Sequence, residues 1–219
     1  MKKKTVIILT IITLLLIPVF IFAQDNTTPA ANTDISAPSA ERLDLGMNAG
    51  IGISQLTSGV MVNGENVARL NYHFSFRGMY FFSKHIGIVF DLGNHFLRTK
   101  EESTTSSYYK QYDLQYIFLD FSPVFTFKKI YLYLGVYIGF IVKGEFEDST
   151  TKESNTNLFS VPDFGLCYGV GYTFDLGKGI TLLAGIELKN QINNFQRTGT
   201  TGSKIFSAYL NIGLLFNVK

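Results

Sequence analysis

Over most of its length from residue 42 the chain alternates large apolar residues with small or polar ones at a period of two, and that pattern commits those stretches to β-strand. In the segment from Ile130 to Lys143 every even position holds a large apolar residue, while the odd positions hold Tyr, Gly, Ile and Lys. Side chains on a strand point alternately to opposite faces, so the segment has one greasy face and one small, polar or aromatic face. The same alternation recurs over residues 42–54, 67–82, 86–98, 113–127, 161–174, 180–190 and 204–218. Each stretch exceeds the roughly 9–11 residues that a tilted strand needs to cross a bilayer.

Alternation alone suits a soluble lipocalin-like barrel as well as a membrane one, because only the outward-facing side differs. The polar face separates them. It is dominated by Gly, Tyr, Ser and Asn, with few of the Lys, Glu and Thr residues that face bulk water. Small residues and a few charges suit a narrow enclosed lumen of about eight strands. The opposite face carries almost no charge, and a charge at mid-membrane costs about 2–4 kcal/mol. The apolar face is therefore expected to meet lipid. Connections at 83–85, 128–129 and 175–179 are short, whereas those at 55–66, 99–112, 144–160 and 191–203 are long and polar. Short periplasmic turns and long outer loops are the bacterial outer-membrane arrangement. Tyr80, Phe81, Phe82, Phe125, Phe127, Tyr172, Phe174 and Phe216 gather beside the short turns, as an interfacial aromatic girdle would. The expected fold is all-β: a single antiparallel up-and-down transmembrane β-barrel of about eight strands.

The N-terminus gives the route. Lys2, Lys3 and Lys4 precede an apolar run from Val6 to Phe22, and polar sequence begins after Ala23-Gln24. That is the form of a secretory signal peptide over residues 1–23, the alternative being an uncleaved anchor. Residues 24–41 are rich in Asn, Thr, Ala, Ser and Pro and are expected to form a disordered periplasmic lead-in, leaving 42–219 as the barrel. A net charge of +2 makes no case for nucleic-acid binding, and the single cysteine, Cys167, allows no intramolecular disulfide.

The chain resembles the small outer-membrane β-barrel family that includes OmpA transmembrane domains, OmpX-like proteins and PorT-like barrels. The resemblance lies in the strand pattern over 42–219 and in the last strand, Asn211-Ile212-Gly213-Leu214-Leu215-Phe216-Asn217-Val218, which looks like the signal read by the barrel-assembly machinery. Many members end on an aromatic residue, whereas here Lys219 follows. The resemblance implies an integral outer-membrane protein, surrounded by outer-membrane lipids, whose loops contact surfaces or ligands.

Charges on the polar face are the candidate site. With 67–82 and 86–98 paired about Lys84, Arg77 falls opposite Asp91 and His73 opposite His95, and Asp120 lies at similar depth. Arg77, Asp91 and Asp120 are expected either to form an ionic cluster closing the lumen or to stand as isolated hydrated side chains. Arg69, Lys143, Asp163, Glu187 and Lys189 are expected to line the lumen nearer its outer end. Two imidazoles are half of an ordinary metal site, with no further ligand clearly placed beside them. No spacing singles out a nucleophile–His–carboxylate trio or a phosphate-binding glycine loop. No catalytic residue, metal or cofactor is expected. The expected role is structural or surface-interacting, through the long loops; the alternative is a narrow porin-like channel for small solutes.

Overall fold

The structure, a computed structural model, describes residues 41–57, 64–154, 159, 162–194 and 204–218. The signal peptide and nearly all of the lead-in lie outside the described residues. Ten strands form one sheet: β1 (Arg42–Leu56), β2 (Gly64–Val67), β3 (Arg69–Phe81), β4 (Ile86–Ser103), β5 (Tyr109–Phe127), β6 (Ile130–Asp148), β7 (Lys152–Ser154), β8 (Asp163–Gly177), β9 (Ile180–Gln191) and β10 (Ile205–Val218). Eight of them pair antiparallel in the order β1-β3-β4-β5-β6-β8-β9-β10, and β10 pairs β1 from Leu43 opposite Val218 to Leu56 opposite Ile205. The last strand thus closes the sheet on the first and leaves the barrel without an edge.

Register fixes the shape. Paired residues followed once around, from Leu45 through Gly78, Phe90, Phe121, Val136, Leu166, Asn190 and Phe206, return to β1 at Gln55, ten residues farther on. A stagger of ten over eight strands tilts the strands by about 40° and holds the backbone about 8 Å from the axis. Such a bore is filled by its own side chains.

The alternation sorts as expected. Along β3, Leu70, Tyr72, Phe74 and Phe76 are exposed, and Asn71, His73, Ser75 and Arg77 between them are buried. Met47, at 68 % exposure, and Leu210, at 66 %, show how completely the apolar face points outward. Soluble monomers rarely expose an apolar surface of this extent, and a lipid bilayer accounts for it. On β1 this belt runs from Leu43 to Ile53, a height of about 25 Å after tilt, which matches an outer membrane. Polar Gln115 and Asn94 sit on the same face towards the outer end and bond each other at 3.1 Å.

Three expectations need correction. Phe81 is buried inside the barrel, with Arg42 over its ring at 4.8 Å, because its parity differs from Tyr80 and Phe82. The loops expected at 99–112 and 144–160 are partly strand: β4 continues to Ser103, β5 starts at Tyr109 and β6 reaches Asp148. Above the membrane both faces meet water, so the alternation fades while backbone pairing continues, from Glu102 opposite Tyr109 to Lys110 opposite Asp148. With β2 on β4 and β7 on β6, these strands form a sheet that rises past the barrel rim. Lys143, the third case, points out of the barrel. Gln115 pairs with Lys143 and Tyr116 with Ile141, so Val142 is an extra residue, and this bulge reverses the parity of everything after it. Lys143 instead meets Glu145 at 2.8 Å in the outer sheet.

Candidate functional site

The lumen is built in three layers. At the periplasmic end Met79, Phe81, Val89, Val124, Tyr131, Leu183 and Leu215 pack into an apolar layer that also reaches Tyr133. At the outer end Leu56, Leu97, Tyr112, Leu114, Tyr116, Ile141, Phe159 and Ile205 make a second one. Polar and charged side chains fill the space between. Below the lower layer opens a vestibule of about 320 Å³, bordered by Arg42, Asp44, Lys84, His85 and Lys128.

Strand register delivers the charges to one level. Arg77 on β3 pairs with Asp91 on β4, and Asp91 with Asp120 on β5. Two carboxylates directly opposite each other repel, so each needs a cation. Arg77 supplies the first: its Nε donates to Asp91 Oδ1 at 2.9 Å and its Nη2 to Asp91 Oδ2 at 2.7 Å. Lys189 supplies the second, with Nζ donating to Asp120 Oδ2 at 2.7 Å. Glu187, two residues before Lys189 on the same face of β9, links the pairs. Its Oε2 lies 3.4 Å from Arg77 Nη2 and its Oε1 3.6 Å from Lys189 Nζ.

The surrounding groups hold this arrangement. Tyr133 Oη donates to Glu187 Oε2 at 2.5 Å, Asn211 Nδ2 donates to the same oxygen at 3.0 Å, and Ser75 Oγ donates to Asp91 at 3.1 Å. His73 bonds Asn211 Oδ1 at 3.0 Å, and His95 bonds Tyr209. Lys189 Nζ also sits 3.8 Å from the centre of the Phe118 ring. Glycines on β8 make room for the large luminal residues: a Cβ on Gly169 would stand 2.5 Å from the Tyr133 ring, and one on Gly171 2.3 Å from Tyr131 Oη. Cys167 is wholly buried on the same luminal face, 3.3 Å from Ser122 Oγ.

The candidate residues therefore divide. Arg77, Asp91, Asp120, Glu187 and Lys189 come together in one layer, so Glu187 and Lys189 lie deeper than expected; the strand tilt, invisible in sequence, carries β9 down to the level of β4 and β5. Asp163 lies in the lumen on its own, accepting from Gln191 Nε2 at 2.7 Å. Arg69 is half-buried near the outer rim, and Lys143 is outside. Tyr133 and Asn211 were not singled out from sequence. Only their luminal parity marks them, and many residues share it.

Carboxylate oxygens of Asp91, Asp120 and Glu187 lie within 4.8 Å of one another, close enough in principle to share a cation. Arg77 and Lys189 already place donors at 2.7 Å on two of them. The chemistry of the layer is that of an ion-pair network in which Arg77 and Lys189 hold the Asp91, Asp120 and Glu187 carboxyl groups.

A family model described as "Outer membrane protein beta-barrel domain" matches residues 22–193. The chain belongs to that family. It is thus a bacterial outer-membrane barrel, and its apolar belt faces outer-membrane lipid. No curated protein matches the sequence. Solved structures similar to it include Ail, the attachment invasion locus protein of Yersinia pestis, at 20% identity over 79% of this chain and 98% of that one, with a TM-score of 0.41. Outer membrane protein AlkL is similar at 15% identity over 89% and 97% (TM-score 0.42), and OprG from Pseudomonas aeruginosa at 12% over 84% and 98% (TM-score 0.40).

Proposed function

We propose that this protein is a closed barrel with a structural and surface-interaction role, exerted through the sheet and loops that stand above the membrane. The observation that carries this reading is the stacking of two apolar layers around a buried ion-pair network. An ion would have to cross both layers unhydrated and displace partners within the network, which is costly for charge in a poorly hydrated space. The space among His95, Tyr137, Asp163 and Lys189 measures only about 20 Å³, about the size of one water. The Arg77–Asp91–Asp120 group, extended by Glu187 and Lys189, fills the lumen between the two apolar layers and adds a third barrier to them.

Outside, the rigid barrel presents an ordered surface. Arg98 meets Asp113 at 2.7 Å and Lys100 meets Glu102 at 2.6 Å. The Glu145 carboxyl is held below the usual carboxylate range by the hydrogen bond and charge of Lys143. Loops on a rigid scaffold are where binding residues concentrate. The protein is non-enzymatic in this reading. The Asn211–Val218 strand serves the assembly machinery and then completes the barrel.

The test is adherence of cells carrying the full chain to immobilised glycans and matrix proteins, compared with a variant whose residues 103–108 are replaced by Asn-Gly, which keeps Glu102 opposite Tyr109. The proposal expects adherence that the shortened variant loses while still reaching the membrane. Equal adherence of both would overturn the assignment to this sheet. Discrete conductance from the purified protein would favour the channel instead.

A further inference from the structure

We infer that the periplasmic rim is a recognition surface for anionic phospholipid, built from Lys84, Lys128, Lys129 and Lys178. All four are exposed and sit on the short turns between β3 and β4, β5 and β6, and β8 and β9. Each turn is bracketed by side chains of the apolar belt: Phe82 and Ile86, Phe127 and Ile130, Leu176 and Ile180. The four lysines therefore sit where the belt ends, with stems able to cover apolar surface, and Lys84 and Lys128 also border the vestibule.

Two observations bear on what these lysines can bind. Among the described residues none of the four has a carboxylate in ion-pair range; outside the membrane Arg98, Lys100, Lys143 and Lys152 are paired, and Lys110 and Lys204 are not. Lys128 Nζ lies 5.6 Å from the centre of the Phe127 ring, and no carboxylate holds any of the four. Secondly, Lys128 and Lys178 are the two non-glycine residues with positive φ among the described residues, at 56° and 54°. Left-handed backbone favours Gly or Asn, yet both turns hold a lysine there. Tight hairpin turns call for positive φ, and these two place a lysine there where Gly or Asn would be less strained. Free cations beside an apolar belt fit a partner with an anionic head and acyl chains, which is a phospholipid of the periplasmic leaflet such as phosphatidylglycerol.

The experiment is native mass spectrometry of the full protein released from detergent with equal amounts of phosphatidylglycerol and phosphatidylethanolamine. The wild type should retain phosphatidylglycerol preferentially, and the preference should weaken with added salt. Each lysine near an anionic surface contributes roughly fivefold at low salt, so K84Q/K128Q/K129Q/K178Q should bind the two lipids about equally. The control K110Q/K204Q removes two lysines from the outer side and should leave the preference intact. K128N/K178N keeps the turn geometry at less strain, so it should fold at least as well as wild type and still lose part of the selectivity, roughly 25-fold for two lysines. An unselective wild type, or unchanged selectivity in the quadruple variant, would overturn the inference. Inorganic phosphate at millimolar concentration should not displace the lipid; if it did, the rim would be a phosphate site and not a lipid one.

Discussion

Replacing Arg77 by Met keeps most of its volume and removes its charge, which isolates the ionic term from cavity formation. In the wild type Asp91 receives the guanidinium at 2.9, 3.1 and 2.7 Å and has only Ser75 Oγ, at 3.1 Å, besides. Without Arg77 the carboxylate remains buried beside Asp120, its direct neighbour across the strand pair. Breaking a buried pair by removing one partner costs about 3–5 kcal/mol. Asp91→Asn alone should cost less, because Arg77 keeps Glu187 at 3.4 Å. In the double variant neither charge is stranded, so its loss should fall short of the summed single losses by about 2 kcal/mol or more. Reversible urea unfolding in lipid vesicles, followed by the gel mobility of the folded barrel, gives all four corners of the cycle. A single-variant loss under about 1 kcal/mol with coupling under about 0.5 kcal/mol would sink the network argument, since distant independent sites behave that way.

Other consequences are more local. Leu215→Ala, which opens a hole in the lower apolar layer where Leu215 is 1 % exposed, should cost about 2–5 kcal/mol in the same assay. Gly169→Ala drives a methyl to 2.5 Å from the Tyr133 ring; moving that ring loosens its bond to Glu187, and overpacking of this kind costs about 1–3 kcal/mol. In the outer turn, Asp148 accepts from the backbone and side chains of Thr150 and Thr151, which holds its carboxyl far below the usual range. A depressed pKa gives stability that is present above the unfolded value and is lost only as pH falls through the folded one. Amide protection at Thr150 and Thr151 should therefore persist through the ordinary carboxylate range, and Asp148→Asn should lower it at neutral pH.

How far the sequence reaches depends on whether a surface is buried. Inside the membrane band lipid on one side and a packed lumen on the other enforce strict alternation. Residues from Leu70 to Arg77 accordingly sort by parity alone, and Arg77 opposite Asp91 follows from one short hairpin. Parity says nothing of depth around the barrel. Glu187 and Lys189 reach Arg77 and Asp120 through a ten-residue stagger that is a sum over eight pairings, and no local window contains it. The bulge at Val142 is equally silent, because Lys143 fits the luminal pattern until the extra residue is counted. Above the rim, where β4, β5 and β6 stand in water, the pattern carries no hydrophobic signal and strand reads as loop.

Closure of the lumen is tested most directly by single-channel recording of the refolded mature barrel in a planar bilayer. Stable insertion with no discrete current steps, in wild type and in Arg77→Met alike, is the expected result, because the two apolar layers remain when the ionic layer is breached. Reproducible openings of the wild-type protein would contradict the closed barrel and make it a channel.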